Sequence, residues 1–376
     1  IIAEIVSDDA DIRKMVKKYF HEEGHLTSKV RDESLDERKV YQIYYEFSEP
    51  VRSIVSHRIL AMNRGEKEKV LRVSIEDPVD KILDHIKQHY IKDSESPATS
   101  YVLDAIEDGY KRLIKPSIER EIRAELKDVA EEQAIRIFAE NLRQLLLQPP
   151  MKDKIVLGVD PAYRTGCKLA VVNETGKLLK IDVIYPHEKF KGENVNERRI
   201  EEAKRIVKDL IETYKVDIIA IGNGTASRET ESFISDVISE LSTDVGYVIV
   251  NEAGASVYSA SELAKEEFPE LNVEERSAIS IARRLQDPLS EFVKIDPKSI
   301  GVGQYQHDVT QSKLSESLDF VVETTVNRVG VNVNSASEAL LRYVSGCNAR
   351  VAKNIVKYRD ENGKFTNRKQ LLDVPR

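Results

Sequence analysis

Apolar residues recur at helical spacing through most of the first 150 positions. The opening stretch carries Ile2, Ile5 and Val6, then Met15, Val16, Tyr19 and Phe20; a later one has Ile82, Leu83, Ile86 and Tyr90. The longest runs through Ile118, Ile122, Leu126, Val129, Ile137, Phe138, Leu142 and Leu145. Side chains three and four apart share a helix face, so this region is predicted to be mainly helical. The alternating piece at residues 70–75 is its only expected strand. Pro116 and Ser117 read as the start of the longest helix. Pro149 and Pro150 end it, because proline restricts both its own φ and the residue before it.

Beyond the prolines the pattern shortens. Residues 155–160, 168–172 and 178–185 read as three close strands separated by turn-forming stretches such as Thr165-Gly166 and Glu174-Thr175-Gly176. An amphipathic helix follows (Ile200, Ala203, Ile206, Val207, Leu210, Ile211, Tyr214), then a strand over 216–221, a helix through Phe233 to Leu241, and a strand over 247–250. A closing helix has Ala278, Ile281, Ala282 and Leu285 on one side, with Arg276, Arg283 and Arg284 elsewhere. The order βββαβαβα resembles the ribonuclease-H fold, a mixed sheet flanked by helices. A further helix is expected around Leu314 to Val326, and from Ser335 the pattern becomes helix, glycine turn, helix. The expected plan is therefore multidomain α and α/β: a helical region over 1–150, the mixed-sheet domain over 151–288, a helical connector over 289–334, and a helix-hairpin-helix over 335–376.

Composition adds a compartment and a charge distribution. No apolar run approaches the ~20 residues a bilayer requires. Cys167 and Cys347 are the only cysteines and stand far apart, which excludes a disulfide framework or zinc ribbon and suits a reducing cytoplasm. The net charge of −8 argues against a uniformly basic nucleic-acid coat and leaves room for a local one. Between Ser335 and Arg376, nine basic residues stand against four acidic ones, so the positive patch is C-terminal. The chain begins at Ile1, directly in a helix-like pattern, and reads as a piece of a longer protein.

Longer blocks carry a family resemblance. Gly158-Val159-Asp160-Pro161-Ala162-Tyr163-Arg164-Thr165-Gly166, Ile221-Gly222-Asn223-Gly224-Thr225-Ala226-Ser227-Arg228-Glu229 and Asn251-Glu252-Ala253-Gly254-Ala255-Ser256-Val257-Tyr258-Ser259 resemble the YqgF-type domain of the Tex family. So do Ala282-Arg283-Arg284-Leu285-Gln286-Asp287-Pro288 and residues 294–309. The resemblance implies a bacterial transcription accessory protein, related to a eukaryotic elongation factor and histone chaperone, with helical, YqgF, helix-hairpin-helix and OB-fold parts in order. The sequence stops inside the hairpin pair, before the OB-fold that the family plan places next.

Nucleases of the ribonuclease-H type hold two divalent metals, Mg or Mn, on converging carboxylates. Asp160, ending the first strand, and Glu252, just after the last, are the candidate catalytic and metal-binding acids. Asn223 falls where the intervening strand would offer another acid, and Asp287 follows the closing helix. The alternative for Asp160 and Glu252 is turn and helix capping. The turn Gly222, Gly224, Thr225 and Ser227 could cradle a phosphate at a helix start, with Arg164 and Lys168 nearby as phosphate contacts.

The hairpin offers backbone amides and charge: Gly346 for the turn, Asn348 as the cap, and Arg350, Lys353 and Lys357 on the following helix. His21-Glu22-Glu23-Gly24-His25 matches the zinc motif HExxH only formally, since Gly24 weakens the helix and Thr27-Ser28 resembles a new helix start. His85 and His89 read as surface residues, Gly301-Val302-Gly303 lacks a dinucleotide-binding context, and Tyr305 and His307 could stack on a base, although a loop tyrosine is more often packed. These features favour a protein that binds RNA or DNA through phosphates and needs no cofactor to do so. The alternatives are a Mg- or Mn-dependent nuclease or resolvase, and a protein-binding scaffold, RNA polymerase being one candidate partner. No membrane association is expected.

Overall fold

The periodic positions become helices in the computed structural model, which describes residues 1–188, 196–334 and 336–375. Ser335 and Arg376, the limits of the expected hairpin region, lie outside the described residues. The chain forms two compact units, Ile1–Ile137 with Gln304–Lys313 and Phe138–Gly303 with Leu314–Arg376. Among the described residues no helix is long and apolar enough to cross a membrane.

In the first unit α1 (Ile2–Asp8) and α2 (Ala10–Glu23) lead into β1 (His25–Val30) and β2 (Glu46–Pro50). Then come α3 (Ser56–Lys67), β3 (Leu71–Glu76), α4 (Val79–Tyr90), α5 (Thr99–Gly109) and the 32-residue α6 (Lys115–Leu146). The strand expected at residues 70–75 is β3, but it is one of three: β1 is the central strand of an antiparallel sheet ordered β2-β1-β3. Thr27 and Ser28, which resemble a helix start, sit in its middle. Their hydroxyls donate to the carbonyls of Ser74 (3.1 Å) and Tyr44 (2.6 Å). Buried polar side chains satisfied in this way erase the apolar alternation that marks a strand. This arrangement also dismantles HExxH, because His21 is on α2 beside Glu125 (3.1 Å) while His25 is on β1 beside Ser48 (3.2 Å). Pro149 and Pro150 follow the end of α6 as expected, whereas the division between compact units falls inside that helix.

The second unit contains β4 (Val156–Asp160), β5 (Cys167–Val172), β6 (Leu178–Ile184), α7 (Glu197–Tyr214), β7 (Ile218–Gly222), α8 (Ser227–Ser239) and β8 (Gly246–Val250). The sheet order is β6-β5-β4-β7-β8, with β4, β7 and β8 parallel and β5 antiparallel to both its neighbours. This is the expected ribonuclease-H-like arrangement. Two short helices that the apolar pattern does not announce, α9 (Ala255–Ala260) and α10 (Glu262–Glu267), precede α11 (Val273–Gln286). After α12 (Pro288–Phe292) come α13 (Gln311–Val329), α14 (Glu338–Leu341) and α15 (Ala349–Asn362).

Strand alternation assigns the two sheet faces. Leu157, Val159, Leu169 and Val171 pack with α7 and α8, while Val156, Ala170, Val172 and Ala220 pack with Ala278, Ile281 and Ala282 of α11. Gly158 lies on the α11 face, where an added Cβ would collide with the Ala278 carbonyl and come within 2.8 Å of the Ala282 Cβ. The missing side chain lets α11 settle against β4. Gly158→Val is expected to cost about 1–3 kcal/mol through overpacking, read as a lower urea midpoint; an unchanged midpoint would mean that α11 does not pack this closely.

Candidate functional site

Asp160, Asn223 and Glu252 stand at the carboxyl ends of the adjacent parallel strands β4, β7 and β8, where open α/β sheets collect ligands. Asp160 continues the Val156, Gly158 alternation and therefore faces α11. Burial is the largest influence on its carboxyl, pushing its pKa up to about 6; the charges of Glu252 and Glu274 push the same way, opposed by a hydrogen bond from Ser277 and by Lys168.

The β4–β5 register sets Lys168 directly opposite Asp160. Cross-strand partners share a face, so Lys168 points inward beneath α11 and is 5% exposed. Its ammonium donates to the carbonyls of Thr165 (2.6 Å) and Gly166 (3.0 Å) and pairs with Glu274 on the first turn of α11. The expected phosphate contact at Lys168 is thus corrected: its charge is consumed inside the fold. Arg164, three residues before β5, is exposed.

Glu252 lies against the β7–α8 turn. A Cβ on Gly222 would stand 2.5 Å from Glu252 Oε2, and one on Gly224 would collide with Oε1. The turn expected to cradle a phosphate instead cradles this chain's own carboxylate, and only glycines leave the space. Oε2 is buried without a hydrogen-bond partner. Asn223 ties the two strand ends together: its Oδ1 accepts the Glu252 backbone amide (3.0 Å), and its backbone amide donates to the Val250 carbonyl (3.1 Å). Asp287 caps α12 through Ser290, accepting from its amide (3.1 Å) and its hydroxyl (2.7 Å).

The loop carrying Glu252 is held from below by Arg284, which is 2% exposed. Its Nη1 donates to the carbonyls of Asn251 (2.9 Å) and Ala253 (2.8 Å), and its guanidinium lies 4.6 Å from the Phe292 ring centre. Burial pulls its pKa down to about 10, against the opposing charges of Glu291 and Glu252, so it remains a cation at neutral pH. Ser277, Glu274 and Arg284 carry no sequence signal for these roles, since each acts on residues more than 30 positions away.

Two-metal hydrolysis needs several carboxylates converging on the ions. Here Asp160 and Glu252 converge, but Ser277 occupies the α11 position that touches Asp160, and Glu274 is committed to Lys168. Among the described residues no group of three or more His, Cys, Asp or Glu is placed to hold a metal. This donor set does not fit a two-metal centre.

The hairpin assembles as its sequence implies. Gly346 adopts φ +86° with open space where a Cβ would project. Asn348 caps α15, its Oδ1 accepting the Val351 amide at 2.9 Å. Arg350, Lys353 and Lys357 are exposed, Lys357 facing Glu361 at 3.8 Å. Arg359 instead donates to the carbonyls of Val333 (3.1 Å) and Ala336 (2.9 Å), anchoring α15 to the preceding loop.

Residues 154–286 match the family model described as the Tex protein YqgF-like domain, residues 1–138 the Tex central region, and residues 326–376 a helix-hairpin-helix motif. The uncharacterized protein YdcI of Bacillus subtilis is 60% identical over all of this chain and 52% of its own length. Protein tex of Bordetella pertussis is 43% identical over the whole chain and 48% of its own length. The human S1 RNA-binding domain-containing protein 1 is 42% identical over the whole chain and 38% of its own length. The chain thus spans about half the length, or less, of these relatives.

Proposed function

The chain belongs to the Tex family, and from that membership we propose that it is a cytoplasmic, nucleic-acid-binding part of a transcription accessory protein that grips RNA or DNA by its phosphates. The observation that carries this reading is the hairpin: an open glycine turn, a capped helix start, and Arg350, Lys353 and Lys357 exposed on that helix. First-turn amides have no acceptor within their own helix, so together with the basic side chains they suit a phosphate and carry little base preference. The name of the human relative, an S1 RNA-binding domain-containing protein, points the same way. Binding in this form needs no cofactor, and RNA polymerase is the protein partner to test.

Reversing Arg350 and Lys353 to Glu is expected to weaken binding of single-stranded RNA and duplex DNA alike. The log-affinity versus log-salt slope should flatten by about two, one unit per lost phosphate contact. Unchanged affinity and slope would remove the hairpin from the interface and favour a scaffold. One observation supports a second reading, a nuclease working with a single divalent ion rather than a pair: the orphaned Glu252 oxygen beside a carboxyl that retains its proton unusually well. Running the same assay in Mg or Mn separates the two, because cleavage abolished by Asp160→Ala would establish the nuclease.

A further inference from the structure

In the first unit a groove of about 620 Å³ opens between α3, α6 and the returning segment 304–313, a size within the ~300–1,000 Å³ typical of small-ligand sites. Its walls are charged. Arg64, Lys67, Arg120, Arg123 and Lys127 face Glu66, Glu131 and Asp308. Each acid is already engaged. Asp308 takes Arg64 Nε at 2.9 Å, Glu66 pairs with Arg123, and Glu131 accepts the Thr310 hydroxyl at 2.7 Å with Lys127 at 3.6 Å.

The surplus lies in Lys67 and Arg120. Both are exposed, and among the described residues neither has an acidic partner. Arg120 Nε donates to the Pro116 carbonyl one turn back at 3.1 Å, which orients its guanidinium. Five cations against three anions leave two positive charges in a groove belonging to a chain of net charge −8. A concentration of unneutralised cations among locked ion pairs complements a compact oxyanion and offers little to an apolar ligand.

We propose that this groove is a phosphate-binding site, with Lys67 and Arg120 as the primary contacts and Arg64 and Arg123 as fixed walls. A nucleic-acid backbone and a small polyphosphate present the same chemistry. The site is independent of the hairpin, so its test separates from the one above.

The full chain, its K67E/R120E variant and the milder K67Q/R120Q variant would be titrated with tripolyphosphate and with a short labelled single-stranded oligonucleotide across a salt series. The expected result for K67E/R120E is roughly tenfold weaker binding at low salt and a slope flatter by about two, with a smaller change in the same direction for K67Q/R120Q. If both probes weaken and compete, the occupant is a nucleic-acid strand; if only tripolyphosphate weakens, it is a small polyphosphate. Equal binding of both probes by all three proteins, with unchanged thermal melting, overturns the proposal. The hairpin reading would still stand if R350E/K353E weakens the oligonucleotide in the same series.

Discussion

Arg284→Leu is expected to lower the unfolding free energy by about 1–3 kcal/mol, the cost of leaving buried carbonyls without their donor, offset in part because Arg284 Nε and Nη2 are themselves buried without hydrogen-bond partners. The carbonyls of Asn251 and Ala253 lose their donor, and Glu252 loses the buried cation whose charge it shares. Leucine fills much of the volume over Phe292, so the loss would come from the unpaired polar groups more than from a cavity. Arg284→Lys should recover only part of it, since one ammonium cannot reproduce a planar guanidinium bridging two carbonyls. Chemical denaturation at neutral pH measures both variants. A loss below about 1 kcal/mol for the leucine variant would show that the Glu252 loop is held by other contacts.

Asp160→Asn is expected to act in the opposite direction, and only at higher pH. The folded pKa of Asp160 is pushed up to about 6 from a reference value of 3.8, so the native state holds its proton more tightly than the unfolded chain. Stability is then lost as pH rises from about 4 through about 6, by roughly 3 kcal/mol in total. Asparagine does not ionise and escapes that loss. The variant should match the parent near pH 4 and exceed it by up to about 3 kcal/mol at pH 7. Urea midpoints over a pH series decide the matter, and a constant offset would mean that Asp160 ionises as an ordinary solvated acid. If Mg at neutral pH stabilises the parent and leaves the asparagine variant unmoved, the carboxylate pair binds a cation and the nuclease reading gains ground. Destabilisation carried by a buried carboxylate is characteristic of a site kept for function at the expense of stability.

Much of this architecture is legible along the chain because its causes are local. The β4, β5, β7 and β8 strands follow from short apolar runs between turn residues, and α7, α8, α11 and α13 from apolar stripes at helical spacing. The Gly346 turn and the Asn348 cap need only their immediate neighbours. Asp160 and Glu252 were recognisable as candidates because a strand end is a position in sequence as well as in space. Strand β1 was hidden, since Thr27 and Ser28 satisfy their hydroxyls on the carbonyls of Ser74 and Tyr44, and a pattern based on apolarity is blind to that.

The direction and company of side chains required the tertiary structure. Lys168 reads as a surface cation until the β4–β5 register sets it opposite Asp160 and α11 lays Glu274 over it. Gly222 and Gly224 read as a phosphate loop until Glu252, nearly 30 residues later, fills the space. Arg284 reads as a polar-face arginine until the loop after β8 closes over it, and Gln304–Lys313 reads as part of a connector until it joins the first unit. Propensity and periodicity record what a residue prefers among its neighbours in sequence. Which charge meets which carboxylate is decided by long-range packing, where one buried pairing excludes all others.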